Sequence, residues 1–184
     1  MADVFKPDPL QVKGSSLRSK LDFVELRFGV SAREALEQRL AAQGIPVVLS
    51  GGWYDYAAYT DLLSTIAKTH FGGSLTALGE IGAASAESAL NSTYAAFKRA
   101  TVDEFFQGIS RLHALLYSEG QIEAAVSDSD ARLTLRCPRT PAEEDLWVAT
   151  GFYRRGTELC GKHDVRVEFV RAEKGARFTV SWVR

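Results

Sequence analysis

The hydrophobic period of this chain changes once, from about 3.6 residues to 2, near residue 120, and that switch constrains the fold more than any other feature. Before it, apolar side chains recur at helical spacing. Leu17, Leu21, Val24 and Phe28 define a first helix that Gly29 ends. Ser31 and Glu34 form a capping-box signature opening a short helix through Leu36 and Leu40, which stops before Gly44 and Pro46. The run Val47–Trp53 reads as a buried turn. Ala58, Leu62, Thr65 and Ile66 carry a third helix, from about Tyr54 to Thr69, and Gly72-Gly73 close it. A fourth helix, with Ser74 as its cap, runs to about Asn91, and Gly79, Gly82, Ala83 and Ala86 lay a strip of small residues along it. Each helical glycine costs about 1 kcal/mol of intrinsic propensity, so the strip implies a close helix crossing that offsets the cost. Thr101 and Glu104 form a second capping box, before a helix with Phe105, Ile109, Leu112 and Leu116 on one face and Phe106, His113 and Tyr117 on an adjoining one.

After Gly120 the alternation takes over. Ile122, Ala124 and Val126 face Ala131, Leu133 and Leu135 across the turn Ser127–Asp130, with Arg132, Thr134 and Arg136 on the opposite side. A helix from about Pro141 to Cys160 follows, then strands 164–171 and 177–183 joined at Glu173-Lys174-Gly175. The fold class expected is α+β: five N-terminal helices packed with a C-terminal ββαββ four-stranded antiparallel sheet, sharing one core. Pro7 and Pro9 make residues 1–11 an extended tail, and residues 12–184 a single domain, as suits 184 residues of which 46% are hydrophobic.

Several chemistries are excluded on these residues. A net charge of −1 does not suit a phosphate-seeking surface, and no aromatic rings interleave with Arg132, Arg136 and Arg166 on the outer sheet face, so no nucleic-acid partner is expected. Cys137 and Cys160 have no CxxC spacing and no HExxH motif occurs, so no metal site is expected. Gly51-Gly52 and Gly72-Gly73 lack any phosphate-loop context, and no Gly-x-Ser-x-Gly elbow is present. The acidic clusters Asp103-Glu104 and Glu143-Glu144-Asp145 sit in first helical turns, where they complement the helix dipole. No stretch approaches the roughly 20 apolar residues of a membrane span, and Met1–Leu10 has no apolar signal core, so a cytoplasmic protein is expected.

Of three histidines, His70 reads as a cation at a helix end and His163 as a solvated turn residue. His113 lies mid-helix among apolar neighbours, where packing outweighs ligation as the ordinary role. The helix Pro141–Cys160 is apolar on more than one side. Leu146, Ala149, Tyr153 and Cys160 make one stripe, while Trp147, Val148, Phe152 and Leu159 spread elsewhere, which requires two packing partners.

The segments Val12-Lys13-Gly14-Ser15-Ser16-Leu17-Arg18, Phe28-Gly29, Ser50–Tyr59, Gly79 with Ser85-Ala86-Glu87, Leu116–Gly120 and Gly175–Trp182 together resemble a paralogous family of myxobacterial proteins of unknown function. That family is similar in turn to haem nitric-oxide/oxygen-binding (H-NOX) domains, to vinyl-4-reductase-type domains and to TRAPP subunits. The resemblance implies a helical half packed on an antiparallel sheet. In H-NOX proteins a helix supplies the proximal histidine, and His113 falls on a comparable helix. Their Tyr-x-Ser-x-Arg motif, which holds the haem propionates, corresponds to Leu135-Arg136-Cys137-Pro138-Arg139, which keeps an arginine but neither the tyrosine nor the serine. Ala176 stands where vinyl-4-reductase-type domains often carry a zinc cysteine. No cofactor is therefore expected, haem included.

The function expected is a non-enzymatic regulatory or sensory module with a small apolar or amphipathic ligand in its helix–sheet interior. Tyr54, Tyr94, His113, Tyr117, Trp147 and Tyr153 are the candidate ligand-binding residues. One alternative is a dimerising scaffold without ligand, with Trp147, Val148 and Phe152 at the interface of a homodimer or with another protein. A second is a haem-based gas sensor acting through His113.

Overall fold

A computed structural model describes residues 10–91 and 101–183. The chain is α+β, with six helices and a four-stranded antiparallel sheet among these residues. A short strand β1 (Gln11–Lys13) leads into α1 (Gly14–Phe28) and α2 (Val30–Ala42). Strand β2 (Trp53–Asp55) precedes α3 (Tyr56–His70), α4 (Leu78–Asn91) and α5 (Val102–Leu116). The hairpin β3 (Gln121–Val126) and β4 (Asp130–Arg136), helix α6 (Glu143–Leu159), and strands β5 (His163–Ala172) and β6 (Gly175–Val183) complete it. The order across the sheet is β3-β4-β6-β5.

The hairpin register pairs Ile122 with Leu135, Ala124 with Leu133 and Val126 with Ala131, so the apolar alternation of the two strands coincides on one face. The arrangement is more than five helices followed by ββαββ, because β1 and β2 form a separate two-stranded ribbon. That ribbon continues into the end of α5. Val12 bridges to Tyr117, the Ser118 N–H donates to the Gln11 carbonyl at 3.0 Å, and the Gln11 N–H donates to Ser118 Oγ at 2.8 Å. Leu10 is buried and Gln11 pairs with Asp55, so the folded part begins ahead of residue 12.

The core forms two clusters rather than one. Val12, Leu17, Leu21, Leu36, Leu40, Leu62, Leu63 and Ile66 fill the helical side. Phe105, Phe106, Ile109, Ile122, Leu133, Phe178, Val180 and Trp182 fill the sheet side. Two helices serve both: α4 gives Leu78 and Ile81 to the first and Ala86 and Leu90 to the second, and α6 gives Val148 to the first and Leu146 and Tyr153 to the second. This is how α6 finds its two packing partners. Its crossing with α4 is a backbone contact. A methyl group added at Gly151 would overlap the Gly79 carbonyl and lie 2.8 Å from the Gly79 Cα, and one at Gly82 would lie 2.8 Å from the Val148 carbonyl carbon.

Three local expectations fail. Ser31 lies inside α2 and does not cap it; Gly29, at φ +93°, takes the N-cap position instead. Helix α4 starts at Leu78, four residues beyond Ser74, whose hydroxyl bonds Thr76. The Val47–Trp53 turn is not buried, since Val47 and Leu49 are 65% and 63% exposed. Thr101 does cap α5, its Oγ1 accepting the Glu104 N–H at 3.3 Å.

Candidate functional site

Between α1, α4, α5, α6 and the sheet lies a chamber of about 400 Å³, within the range of small-molecule sites. Ile109, Leu112, Leu116, Ile122, Val148, Phe152 and Phe178 supply an apolar wall. It reaches the surface beside the exposed Arg18, Asp22 and Ser88.

A polar constellation sits inside this apolar setting. Asp145, in the first turn of α6, is buried and accepts three tyrosine hydroxyls: Tyr117 at 2.8 Å and Tyr59 at 3.3 Å on Oδ1, and Tyr56 at 3.0 Å on Oδ2. The Tyr56 hydroxyl also accepts the Ala142 N–H at 3.1 Å, tying the entry of α6 to α3. Burial raises the carboxyl of Asp145 above its ordinary range, and the tyrosine hydrogen bonds and the Lys20 charge pull partly the other way. Burial, and then the Asp145 charge, push the three phenols upward, so all remain hydroxyl donors. Lys20, buried on α1, donates to Ser85 Oγ and Ser19 Oγ, each at 3.2 Å, and burial brings its ammonium down to about 8, against the Asp145 charge.

His113, Tyr117 and Tyr153 all line the chamber. The His113 ring stacks on Tyr117 at 4.6 Å, and its Nε2 lies 3.3 Å from the Glu119 carbonyl oxygen. A carbonyl only accepts, so Nε2 carries the proton and Nδ1 keeps the lone pair. Burial lowers the imidazole to about 4, the Glu119 bond offsetting part of the fall, so it is neutral at neutral pH.

The other candidates lie elsewhere. Tyr54 is outside the chamber, its hydroxyl accepting the Leu49 N–H at 2.7 Å and donating to the Val47 carbonyl at 3.3 Å. Trp147 is half-buried edge-on against Phe169 at 5.1 Å and does not face the chamber. Tyr94 lies outside the described residues. Of the interface residues, Val148 is buried within the chain, Phe152 is partly buried on the chamber wall, and Trp147 packs on β5. His70 stacks on Phe28 at 4.4 Å and His163 is exposed. Arg139 is not on the chamber wall; it approaches the Glu119 carboxylate at 3.6 Å. Sequence reading missed Lys20, Tyr56, Tyr59 and Asp145. Asp145 in particular reads as a first-turn helix acid, whereas its carboxylate points at tyrosines.

By sequence, the chain matches no protein-family model and no curated protein. By structure, it matches an iron(II) unliganded H-NOX protein from K. algicida with a TM-score of 0.71 at 12% identity, covering 94% of this chain and 97% of that one. The chain has the H-NOX fold. An oxygen-binding H-NOX domain related to soluble guanylate cyclases, in its oxygen complex, matches with a TM-score of 0.67 at 13% identity, over 94% and 95% of the two chains. A structure from a study of haem distortion in the H-NOX family matches with a TM-score of 0.69 at 11% identity, over the same shares. These neighbours are haem proteins. They overturn two expectations: the haem-free module for an apolar or amphipathic ligand as the leading reading, and the absence of a cofactor.

The chamber's residues suit a haem in one decisive respect. A histidine that ligates a metal must be neutral, and it characteristically donates its second ring N–H to a carbonyl or carboxylate that fixes the tautomer. His113 meets both conditions through burial and the Glu119 carbonyl. Among the described residues, no group of three or more His, Cys, Asp or Glu is placed to hold a bare metal ion, and no helix is long and apolar enough to cross a membrane.

Proposed function

We propose that this chain is a haem-based gas-sensing module, a binding domain rather than an enzyme, in which His113 would hold the haem iron. The observation that carries the reading is the neutral, carbonyl-oriented imidazole on the wall of an apolar chamber, in a chain with the H-NOX fold. When bound, the haem supplies an iron centre able to take up a diatomic gas.

The chain's own residues do the rest. Nδ1 of His113 offers the lone pair, Glu119 holds the tautomer, and Tyr117 braces the ring by stacking. Ile109, Leu112, Leu116, Phe152 and Phe178 exclude water from the chamber. Arg18, exposed at the mouth, is the guanidinium suited to a haem carboxylate, in place of an arginine after β4. Tyr117 and Tyr59 are committed to Asp145, so the interior presents their rings more than their hydroxyls to a guest.

The test is spectroscopic. Purified protein loaded with one equivalent of haem should show a Soret band that shifts on exposure to nitric oxide or carbon monoxide. His113→Ala should lose the ligated spectrum while retaining its far-ultraviolet circular dichroism. A wild-type protein that leaves added haem with the spectrum of free haem sinks the reading.

A further inference from the structure

Lys20 is the one buried lysine among the described residues, and it projects from α1 into the wall of the chamber. Its amine has hydroxyl partners only, Ser85 and Ser19, and forms no ion pair with a carboxylate among the described residues. An enclosed ammonium without a contacting counter-ion is a poor cation and a good candidate for a neutral amine. The groups that face it are few. Tyr59 of α3 places its ring 5.8 Å from Nζ, Asp145 of α6 contributes a negative charge beyond ion-pair contact, and Arg18 and Asp22 of α1 stand at the mouth. Tyr117 and His113, from the end of α5, line the same chamber, the first hydrogen-bonded to Asp145 and the second neutral.

We propose that Lys20 is a reactive amine that captures small aldehydes as a Schiff base within this chamber. The Nζ lone pair adds to the aldehyde carbon, and the carbonyl π pair moves to oxygen. A proton then passes from nitrogen to that oxygen, giving a carbinolamine. The carbinolamine hydroxyl takes a second proton and leaves as water, while the nitrogen lone pair closes the C=N bond; the iminium so formed gives up its N–H proton, which replaces the one taken. The balance is amine plus aldehyde to imine plus water, with no oxidant or reductant required. The Ser85 hydroxyl, in contact with Nζ, is the group placed to relay those protons. A buried lysine activated by desolvation is a recurrent way of making such an amine.

The inference is independent of haem, although both occupants would use one chamber. The experiment treats the purified chain with propanal and cyanoborohydride, before and after loading with haem, and maps propyl adducts by peptide mass spectrometry. At pH 7.5 an amine titrating near 8 is neutral on the order of a hundredfold more often than an ordinary alkylamine near 10.4, so Lys20 should be labelled on the order of a hundredfold faster than Nα-acetyl-lysine added to the same mixture. Its labelling should level off above about pH 8 while that of the added amine keeps rising. Asp145→Asn removes a charge that favours the ammonium, so the inflection should move to lower pH. Lys20→Arg should lose the adduct and leave the others. Labelling of Lys20 no faster than that of the added amine, or a Lys20 profile that rises with it, overturns the proposal. That wild-type profile decides even if a variant fails to fold. A chain that labels at Lys20 but takes up no added haem would remove only the haem reading, and protection of Lys20 by haem would support both.

Discussion

The crossing of α4 and α6 makes the sharpest quantitative claim about this fold, and Gly151→Ala tests it. The new methyl would overlap the Gly79 carbonyl and stand 2.8 Å from the Gly79 Cα, where carbon atoms ordinarily sit about 3.5–4.0 Å apart. Both neighbours are main chain, so no side chain can swing aside and the helices must separate by about 1 Å. A gap of that size forfeits a quarter to a half of each dispersion contact it opens. Overpacking costs about 1–3 kcal/mol, and a main-chain obstacle places this case near 3 kcal/mol. Alanine's better helix propensity returns about 1 kcal/mol. The net expectation is a loss of about 2 kcal/mol, or a fall in Tm of roughly 4–8 °C for a chain of this size. Gly51→Ala is the control, because nothing lies within 4 Å of its added methyl and it needs no positive φ. Urea and thermal unfolding followed by circular dichroism measure both variants. If Gly151→Ala stays within about 0.5 kcal/mol of the parent, or Gly51→Ala loses as much, the close crossing is refuted.

Two further expectations concern stability. The unfolded chain takes up a proton on His113 near pH 6.5 and the folded chain only near 4, so between those values the unfolded state holds more protons. Stability should therefore be unaffected above pH 6.5 and fall by up to roughly 3 kcal/mol as pH drops toward 4. His113→Gln should lack that share of the acid loss, and superimposable urea midpoints for the two proteins between pH 7 and 4 would show the imidazole to be solvated. Thr101→Ala removes the acceptor for the Glu104 N–H and should cost about 1 kcal/mol, read as a lower urea midpoint with unchanged slope.

Much of the architecture was legible because it is written in local periodicity. The alternation in 121–136 sets the hairpin register, and the small residues at Gly79 and Gly82 announce the crossing that α6 makes. The two-stranded ribbon escaped because three residues cannot display a period of 2. Val47 and Leu49 misled because an apolar run indicates burial only when another element covers it. The Ser31 box failed because Gly29, free to adopt φ +93°, ends α1 and starts α2 in a single residue.

The interior was harder to read. Asp145 meets Tyr56 and Tyr59 across 89 and 86 residues of sequence, and nothing local separates it from the solvated Glu143 beside it. Lys20 gave no signal for the same reason, since its burial depends on α4 closing over α1 through Ser85. His113 was visible as a candidate, but its proton state rests on the Glu119 carbonyl, a contact that sequence cannot express.

The two hydrogen bonds between Gln11 and Ser118 join positions 107 residues apart, so they act as a hasp on nearly three-fifths of the polypeptide. Everything from α1 to α5 forms a noose that this fastening draws shut, and such distant closure is slow to form. Once shut, it clamps the bend immediately beyond His113 from outside the chamber. Cutting the chain at residue 13 would slacken that bend without touching a single strand of the four-stranded sheet.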